Sequence, residues 1–317
     1  MLLIATDEAG YGPKLGPLVI AGTAWRIPGD DLGAEELNAL FAPLRRPRVC
    51  DGSTVVVDDS KVVYKPSAGL ESLHAVVSAS YHWCGRNEQT LSEILPRLST
   101  DDLASIARAP WLGLPDETPF LCRSITQELL QGWRESGLEL ADVSARVITA
   151  EAFNLACEHG RNKADLLSES SLGLVNTLLN LNGDDQARIA VYCDRHGGRR
   201  YYAGVLQHVF PDAQLQVLAE ASQQSSYRLT TANRRIDVHF TVKGDSFTPV
   251  ALSSMHAKYL RERMMQSLNA YFAARHRQSA PLRPTAGYPV DADRFLAEIA
   301  PIVSRENIDA ERLIRSR

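Results

Sequence analysis

The octapeptide TDEAGYGP, residues 6–13, constrains this chain more than any other segment. It follows the apolar run LLIA at residues 2–5, which predicts a short buried strand. Asp7 and Glu8 stand where that strand is predicted to end, and the glycines that follow allow a bend that brings both acids toward one point. Unit charges about 4 Å apart repel by roughly 4 kcal/mol near a protein surface. The motif therefore indicates either a cation site or a solvated strand end.

Composition limits the class of protein. The chain has 317 residues, of which 44% are hydrophobic and 23% charged, as in a soluble globular protein with two domains or one α/β domain with insertions. A net charge of −4 argues against a strongly basic nucleic-acid coat, although a local basic patch is enough for binding. Five widely spaced cysteines without a Cys-x-x-Cys pair predict neither a disulfide framework nor a zinc ribbon.

The sequence also narrows location and cofactors. Acids interrupt the first apolar run too early for a signal peptide, and no apolar stretch approaches the length of a membrane span, so we expect a cytoplasmic protein without membrane contact. The Gly10-Tyr11-Gly12 triplet lacks the third glycine of a dinucleotide fingerprint, and no P-loop or Gly-x-Ser-x-Gly elbow occurs. We therefore expect no organic cofactor, and we expect a monomer.

The remaining chain predicts an α/β fold with a helical insertion. Apolar strands are predicted at residues 188–193 and 236–242, and a long helix begins at Thr248-Pro249 with threonine as its cap. Residues 85–141 are instead a helical insertion, in which Trp111 and Trp133 are interpreted as core anchors. The predicted division is a catalytic domain at 1–84 and 142–280, the insertion, and a C-terminal helical extension at 281–317.

Acids recur after three predicted strands. Asp7 and Glu8 follow the first, Asp194 follows the strand at 188–193, and Asp245 follows the strand at 236–242. Open α/β sheets place their ligand sites at the carboxyl ends of strands. Hard oxygen ligands without a His/Cys cluster suit Mg²⁺ or Mn²⁺ better than zinc. Such a site can activate water and stabilise charge on a phosphodiester. Each acid alone is also compatible with a capped turn or an exposed loop.

Several blocks resemble a known family. The segment DEAGYGPKLGP at residues 7–17 is similar to the N-terminal signature of type 2 ribonuclease H (ribonuclease HII). Asp59-Ser60-Lys61, Asp194, Lys243-Gly244-Asp245 with residues 253–261, and Gly287-Tyr288-Pro289 resemble the family's later motifs in the same order. The blocks span nearly the whole chain apart from residues 85–141. Each block is short, and their combination carries the resemblance.

The resemblance implies a ribonuclease H-like fold, a mixed five-stranded sheet flanked by helices. It implies Mg²⁺- or Mn²⁺-dependent cleavage of the RNA strand of RNA/DNA hybrids or ribonucleotide-containing duplexes, giving 5′-phosphate and 3′-hydroxyl ends. The implied catalytic and metal-binding residues are Asp7, Glu8, Asp194 and Asp245. The implied substrate-binding residues include Gly10, Tyr11 and Gly12 near the ribose 2′-hydroxyl, Tyr288 near the following deoxyribose, and Lys61 and Lys258 at phosphates.

Basic residues add further candidates for substrate binding. Arg199 and Arg200 lie in the cluster RHGGRR at residues 195–200, directly after Asp194, where glycines permit close approach to a ligand. Arg261 lies with Lys258 on the long helix. Local positive charge beside carboxylates is suited to holding a polyanionic backbone over metal ions. The competing interpretation is that the long helix solvates one charged face.

Two departures from the family pattern bear on function. The family usually has a basic residue between its two glycines, where this chain has Tyr11, so recognition of a single ribonucleotide is in doubt. His256 stands where an aliphatic residue is usual, and we interpret it as a helix-surface or core substitution. Two alternatives stay open: a ribonuclease H-like nuclease acting on another nucleic acid, and a catalytically inactive nucleic-acid-binding protein.

Overall fold

A mixed β-sheet with helices on both faces organises the protein. The structure is a computed structural model that describes residues 1–29, 32–65, 69–114, 118–183 and 188–316. The predicted α/β class, with a mixed sheet flanked by helices, is confirmed. The sheet has seven strands instead of the expected five, because an antiparallel pair extends one edge.

Nine strands are present in the described part of the chain, and two of them form a separate small ribbon. In chain order they are β1 (Leu2–Ala9), β2 (Leu18–Arg26), β3 (Arg48–Cys50), β4 (Ser53–Val55), β5 (Glu139–Ile148), β6 (Arg188–Asp194), β7 (Gln214–Glu220), β8 (Gln224–Thr230) and β9 (Arg235–Thr241). The main sheet has the order β5-β2-β1-β6-β9-β8-β7.

Strand direction changes along the sheet. β1 pairs antiparallel with β2, and β2 pairs antiparallel with β5. On its other side β1 pairs parallel with β6, and β6 pairs parallel with β9, so the carboxyl ends of these three strands meet at one edge. β8 and β7 then add antiparallel strands beyond β9. β5, β2, β1, β6 and β9 are the five strands that form the mixed part of the sheet, and β8 and β7 are the two additional strands.

The helices in the described residues vary widely in length. They are α1 (Ala34–Phe41), α2 (Ser60–Val63), α3 (Glu71–Trp83), α4 (Leu91–Leu98), α5 (Leu103–Ala107), α6 (Arg123–Trp133), α7 (Ala150–Glu158), α8 (Lys163–Asn182), α9 (Ala203–Val209), α10 (Thr248–Arg275), α11 (Pro289–Arg305) and α12 (Ala310–Leu313). None of the described helices is both long enough and apolar enough to cross a bilayer.

Alternate residues of the central strands supply the cores on the two faces of the sheet. In β1, Leu3 and Ala5 join the core that contains α10, whereas Leu2 and Ile4 join the core that contains α8 and α9. This alternation is the expected consequence of the two-residue period of a strand. Because both faces are covered, β1 reads as a continuous apolar run in the sequence.

The predicted insertion is helical but shares its core with the rest of the protein. Trp111 and Trp133 are 4% and 0% exposed, which confirms them as core anchors. Their cluster also contains residues of β1 and α10, so this segment has no separate core of its own. β5 begins at Glu139, so the predicted boundary at residue 142 falls inside a strand of the main sheet.

Two further details differ from the sequence predictions. Thr248 is the first residue of α10 and makes no side-chain cap; its hydroxyl accepts a hydrogen bond from Arg45 Nε at 2.8 Å instead. His256 on the same helix is 0% exposed, so it is a core residue, one of the two placements expected for it.

Candidate active site

The predicted acids lie at one edge of the sheet, on two neighbouring parallel strands and the turn beyond a third. Asp7 lies in β1 and Asp194 is the last residue of β6. Thr6 pairs with Cys193, so the two acids follow the same rung of the parallel ladder. Asp245 lies in the 3₁₀ turn Gly244–Ser246, after the end of β9. The topology thus brings together acids that are separated by up to 238 positions in the sequence.

The first strand is longer than predicted. β1 continues through both acids to Ala9, so Asp7 and Glu8 occupy successive positions of a strand instead of a bend. Asp7 is 8% exposed on the face that α10 covers, and its Oδ1 accepts the Glu8 backbone N–H at 2.8 Å. The strand extends because residues 7–9 pair with Ala21, Ile20 and Val19 of β2. The bend therefore begins only at Gly10.

Electrostatics couple the acids to one another. Burial raises the pKa of Asp7 well above its ordinary value, and the carboxylates of Glu8 and Asp194 raise it further. The pKa of Glu8 is raised by burial and then by repulsion from Asp194. The pKa of Asp245 is raised by burial and by the charges of Asp59 and Asp194. The four predicted acids are therefore one electrostatic unit, defined here as the acidic cluster: Asp7, Glu8, Asp194 and Asp245.

Asp194 is fixed by the turn that carries Asp245. Its Oδ1 accepts the Gly244 backbone N–H at 2.7 Å, which opposes the upward shift that burial gives to the pKa of Asp194. A Cβ added at Gly244 would lie 2.9 Å from Asp194 Cα, so a larger residue would displace one of the two segments. The close approach explains why glycine precedes Asp245.

Lys61 faces the acidic cluster. Although burial opposes protonation, the charges of Asp59, Asp245, Asp7 and Asp194 raise the pKa of Lys61 above its ordinary value. Asp59 caps α2 by accepting the Lys61 backbone N–H at 2.8 Å, and this hydrogen bond fixes the backbone position from which the Lys61 side chain extends. The structure therefore places Lys61 beside the carboxylates, where its ammonium partly balances their charge.

Sequence reasoning missed three polar residues of the site. Ser254 of α10 hydrogen-bonds to Asp7, and its hydroxyl lies 3.0 Å from that of Ser60. Arg45 donates to Asp58 Oδ1 at 2.8 Å and to the Ser246 carbonyl at 2.6 Å, and so holds the turn after β9. Ser60 and Ser254 belong to the short family blocks and could have been singled out there. Arg45 lies in no motif, so the sequence offered no signal for it.

The glycine loop after β1 packs on a buried arginine. Gly10 has a φ of +88°, and a Cβ there would lie 2.5 Å from Arg261 Nε. Arg261 is only 2% exposed and donates to the Ala286 carbonyl at 3.0 Å. The sequence predicts that Arg261 contacts substrate; the structure instead buries its guanidinium beneath the loop, where it also pairs with Glu262 Oε1 at 3.2 Å. Gly12 is exposed, and Tyr288, 53% exposed, lies nearby, so these two predicted residues share one surface.

The other predicted basic residues are engaged within the protein. Lys258 donates to Glu262 Oε1 at 2.8 Å and lies 4.8 Å from the centroid of the Tyr64 ring. Arg199 is paired with Asp165, and Arg200 donates to the Glu220 carbonyl at 2.9 Å. The structure thus gives these three residues internal partners, whereas the sequence indicated a free basic patch. Arg200 is nonetheless exposed, and Arg199 and Lys258 are partly exposed.

The acidic cluster has the donor chemistry for a hard divalent cation. It offers carboxylate oxygens, and its raised pKa values reflect an excess of buried negative charge that such a cation would neutralise. Across the described ranges, however, no three or more His, Cys, Asp or Glu side chains are already arranged to hold a metal ion. The residues therefore fit a divalent metal in chemistry, while their side chains are not gathered around one point.

Comparisons with known proteins find likeness only among solved structures. The chain matches no protein-family model and no curated protein sequence. It is similar to Bst-RNase HIII in complex with Mn²⁺, at 13% identity and a TM-score of 0.43, covering 99% of this chain and 66% of that one. It is also similar to ribonuclease H2 from Pyrococcus horikoshii OT3, at 13% identity and a TM-score of 0.43, covering 99% and 92% of the two chains.

A third similar structure is the PCNA:RNase HII complex from Archaeoglobus fulgidus, at 15% identity and a TM-score of 0.40, covering 100% of this chain and 95% of that one. This chain spans slightly less than two thirds of the Bst-RNase HIII chain. At these identities and scores the likenesses carry no functional argument, and the function has to be inferred from the residues of the site.

Proposed function

We propose that this chain is a divalent-metal-dependent endonuclease that cleaves the RNA strand of RNA/DNA hybrids, leaving 5′-phosphate and 3′-hydroxyl ends. The observation that carries the proposal is the acidic cluster at one edge of the sheet, in which burial raises the pKa of every member and repulsion from neighbouring carboxylates raises those of Asp7, Glu8 and Asp245 further. Strongly perturbed carboxylates collected at the carboxyl ends of parallel strands are typical of functional sites.

The acidic cluster would hold Mg²⁺ or Mn²⁺. A bound divalent ion would supply a nucleophilic water and would stabilise charge on the phosphodiester. Asp7 and Asp194 are the best-fixed members, since Asp7 is bonded to Ser254 and Asp194 to the Gly244 N–H. Glu8 and Asp245 would complete the set of oxygen donors. Their negative charge, more than a preformed geometry, supports this role.

The protein's own groups would position the substrate around the acidic cluster. Lys61 lies close enough to the carboxylates for its ammonium to meet a phosphate bound there. Gly10, Tyr11 and Gly12 would bring their backbone to the ribose 2′-hydroxyl, and the exposed Tyr288 ring would pack against the next sugar. These substrate roles rest on the resemblance of residues 7–17 and 287–289 to the type 2 ribonuclease H motifs.

Three duplexes would test the proposal side by side in Mg²⁺ and in Mn²⁺: a uniform RNA/DNA hybrid, an all-DNA duplex, and a DNA duplex with one embedded ribonucleotide. We expect cleavage of the hybrid with a 5′-phosphate on the product, and no cleavage of the all-DNA duplex. Cleavage of the all-DNA duplex would overturn the substrate assignment. The Asp194→Asn variant is the control for contaminating nuclease.

One observation favours a second candidate, a nucleic-acid-binding protein without catalysis. No preassembled group of three or more potential metal ligands occurs in the parts of the chain that the structure describes. This candidate predicts tight binding of the hybrid without product in either metal. Cleavage that depends on added metal, is abolished by a chelator and is restored by Mg²⁺ would exclude it.

A further inference from the structure

A lysine outside the predicted site lies directly over the glycine loop. Lys163 is the first residue of α8, and its Nζ lies 4.3 Å from the centroid of the Tyr11 ring. This distance is well inside the range of a cation–π contact. Lys163 belongs to none of the motifs that indicated a nuclease. The fold alone brings it to Tyr11.

The ammonium of Lys163 has no anionic partner in the described residues. Asp165, the acid of the same helical turn, is paired with Arg199 and also accepts from Asn162. Burial, and then repulsion from Arg315, lower the pKa of Lys163, in keeping with a cation that lacks an anion nearby. The Tyr11 ring holds the ammonium but cannot accept all three of its N–H donors.

The Lys163–Tyr11 pair also lies close to the acidic cluster. The Glu8 carboxylate, after burial, raises the pKa of the Tyr11 hydroxyl, and a Cβ at Gly197 would lie 3.1 Å from the Tyr11 hydroxyl oxygen. Gly197 belongs to the loop that directly follows Asp194. The pair therefore links the glycine loop, which follows Glu8 and Ala9, to the loop that follows Asp194.

We propose that Lys163 is a substrate-binding residue that contacts a backbone phosphate of the bound duplex, with the Tyr11 ring holding its ammonium in place. The proposal rests on the proposed function insofar as the ligand is a nucleic-acid duplex. It gives Tyr11 a role as a positioning residue, which acts through Lys163. A polyanionic strand crossing the acidic cluster would then meet two cations, Lys61 and Lys163.

The test measures binding of an RNA/DNA hybrid, without divalent metal, as a function of salt. A single phosphate contact changes the slope of log K against log salt by about 0.9, which corresponds to about eightfold in affinity at 0.1 M salt relative to 1 M. We expect Lys163→Met to lose about eightfold in affinity and about one unit of slope, and Lys163→Arg to keep most of both. Where the protein cleaves, KM should rise while kcat changes little.

The matched control is Arg161→Met. Arg161 lies two residues away, is half exposed and is paired with Glu169, so its loss alters the local field without removing a free ammonium. Tyr11→Leu should weaken binding in the native background and have little further effect in Lys163→Met. Thermal melts of each variant show whether the fold is retained.

The outcomes separate this proposal from the proposed function. The role of Lys163 would be overturned, even if the enzyme cleaves hybrids, by either of two results. One is that Lys163→Met binds the hybrid within twofold of the native affinity and with the native salt slope. The other is that Lys163→Met loses no more affinity than Arg161→Met. Binding without cleavage would defeat the nuclease proposal while the lysine effect stays measurable. A native protein that binds no duplex at all would overturn both.

Discussion

An acidic cluster and a basic cluster lie close to the loop that begins at Gly10, and the protein offsets their charges differently. Two members of the acidic cluster, Asp7 and Glu8, directly precede this loop in β1. A basic cluster, defined here as Lys163, Arg261 and Arg315, contacts the loop itself through Tyr11, Gly10 and Pro13. In both clusters burial shifts pKa values toward the neutral form, upward for the acids and downward for the cations, and repulsion from a like charge adds to the shift of Asp7, Lys163 and Arg315.

The difference between the clusters lies in what offsets their charge. Arg315 is 3% exposed and donates to the Pro13 carbonyl, whereas Arg261 donates to the Ala286 carbonyl and is also paired with Glu262 Oε1 at 3.2 Å, so both guanidinium groups have partners within the protein. Burial, with repulsion from Arg261, still lowers the pKa of Arg315 to about 9. In the acidic cluster, the Gly244 N–H and Lys61 offset only part of the buried negative charge, and the pKa values of the acids stay raised. Buried charge that the protein compensates only in part indicates a ligand.

The largest effect is expected from neutralising the acidic cluster. Asp194→Asn keeps the shape and the acceptor for the Gly244 N–H but removes a charge. Hydrolysis should fall by about a thousandfold, equivalent to ~4 kcal/mol of transition-state stabilisation. In metal-free buffer the same variant should unfold at an equal or higher denaturant concentration, because repulsion with Asp7 is relieved. Asp245→Asn should behave alike. Retained turnover at saturating Mg²⁺ would remove these acids from the catalytic set.

A smaller effect is expected where the basic cluster supports the loop. Gly10→Ala would hold a residue with a side chain at a φ of +88° and bring its Cβ to 2.5 Å from Arg261 Nε and 2.6 Å from the Pro17 carbonyl oxygen. Strain and displacement together should destabilise the protein by about 3 kcal/mol. Chemical denaturation measures this.

The control for that variant is Gly12→Ala in the same loop. A Cβ at Gly12 would have Tyr288 Cε1 as its nearest neighbour, at 3.8 Å, which is ordinary contact. We expect its free energy of unfolding to lie within about 0.5 kcal/mol of the native value. Equal destabilisation by the two substitutions would show that the buried arginine does not support the loop.

A third buried site, at His256, adds to the comparison of the two clusters because its side chain is buried in the neutral form. His256 is fully buried with no hydrogen-bond partner for either ring nitrogen in the described structure, and burial lowers its pKa to about 3. The pKa of His256 in the folded state lies below its unfolded value of about 6.5. Stability is therefore highest above pH 6.5, where the ring is neutral in both states. It is lost as the pH falls from 6.5 toward 3, because only the unfolded state can bind the proton in this range. Between pH 7 and pH 5 the loss should be about 2 kcal/mol.

The His256→Leu variant should lack this acid sensitivity and should be more stable than the native protein at pH 5. Denaturant unfolding at pH 7 and pH 5 for both proteins measures the difference directly. The same change in stability with pH in both proteins would mean that His256 is not buried in its neutral form. The unsatisfied ring nitrogens give leucine a further advantage at both pH values.

The smallest effect is expected at the contact between the clusters. Tyr11→Arg adds a cation to the glycine loop, and we predict that it favours cleavage at a single embedded ribonucleotide over a long hybrid by about fivefold, or ~1 kcal/mol. The new guanidinium would lie near Lys163, so the shift should be larger in a Lys163→Met background. An unchanged ratio of the two kcat/KM values in both backgrounds would contradict this account of position 11.

Much of the architecture followed from local sequence pattern. Apolar runs predicted the central strands, and the near-continuous apolar run at residues 188–193 predicted that this strand would be buried on both faces. The count of five strands was what the family resemblance implied, and β8 was not predicted because its residues are mostly polar and lack the hydrophobic signal on which such predictions depend. The extension of β1 through Asp7 and Glu8 was missed for a related reason, since two acids in a row rarely continue a buried strand.

The sequence likewise indicated some residues of the candidate site and missed others. Asp7, Glu8, Asp194 and Asp245 were indicated by sequence alone, because acids after apolar strands are conspicuous and their neighbouring motifs are short but ordered. Arg45 and Lys163 were not, because each is a single basic residue in an ordinary polar segment, and its importance depends on partners far away in sequence.

By itself, then, the sequence determined the apolar strands and the candidate residues at their ends, because hydrophobic periodicity and residue type are local properties that need no partner to be recognised. Only the tertiary structure decided which charges are compensated. Arg261, Lys258 and Arg199 looked equivalent to Lys61 in the sequence, yet they find internal acceptors while Lys61 faces the acids. Long-range Coulomb energy and desolvation depend on distance and burial, and both are set by how the chain folds.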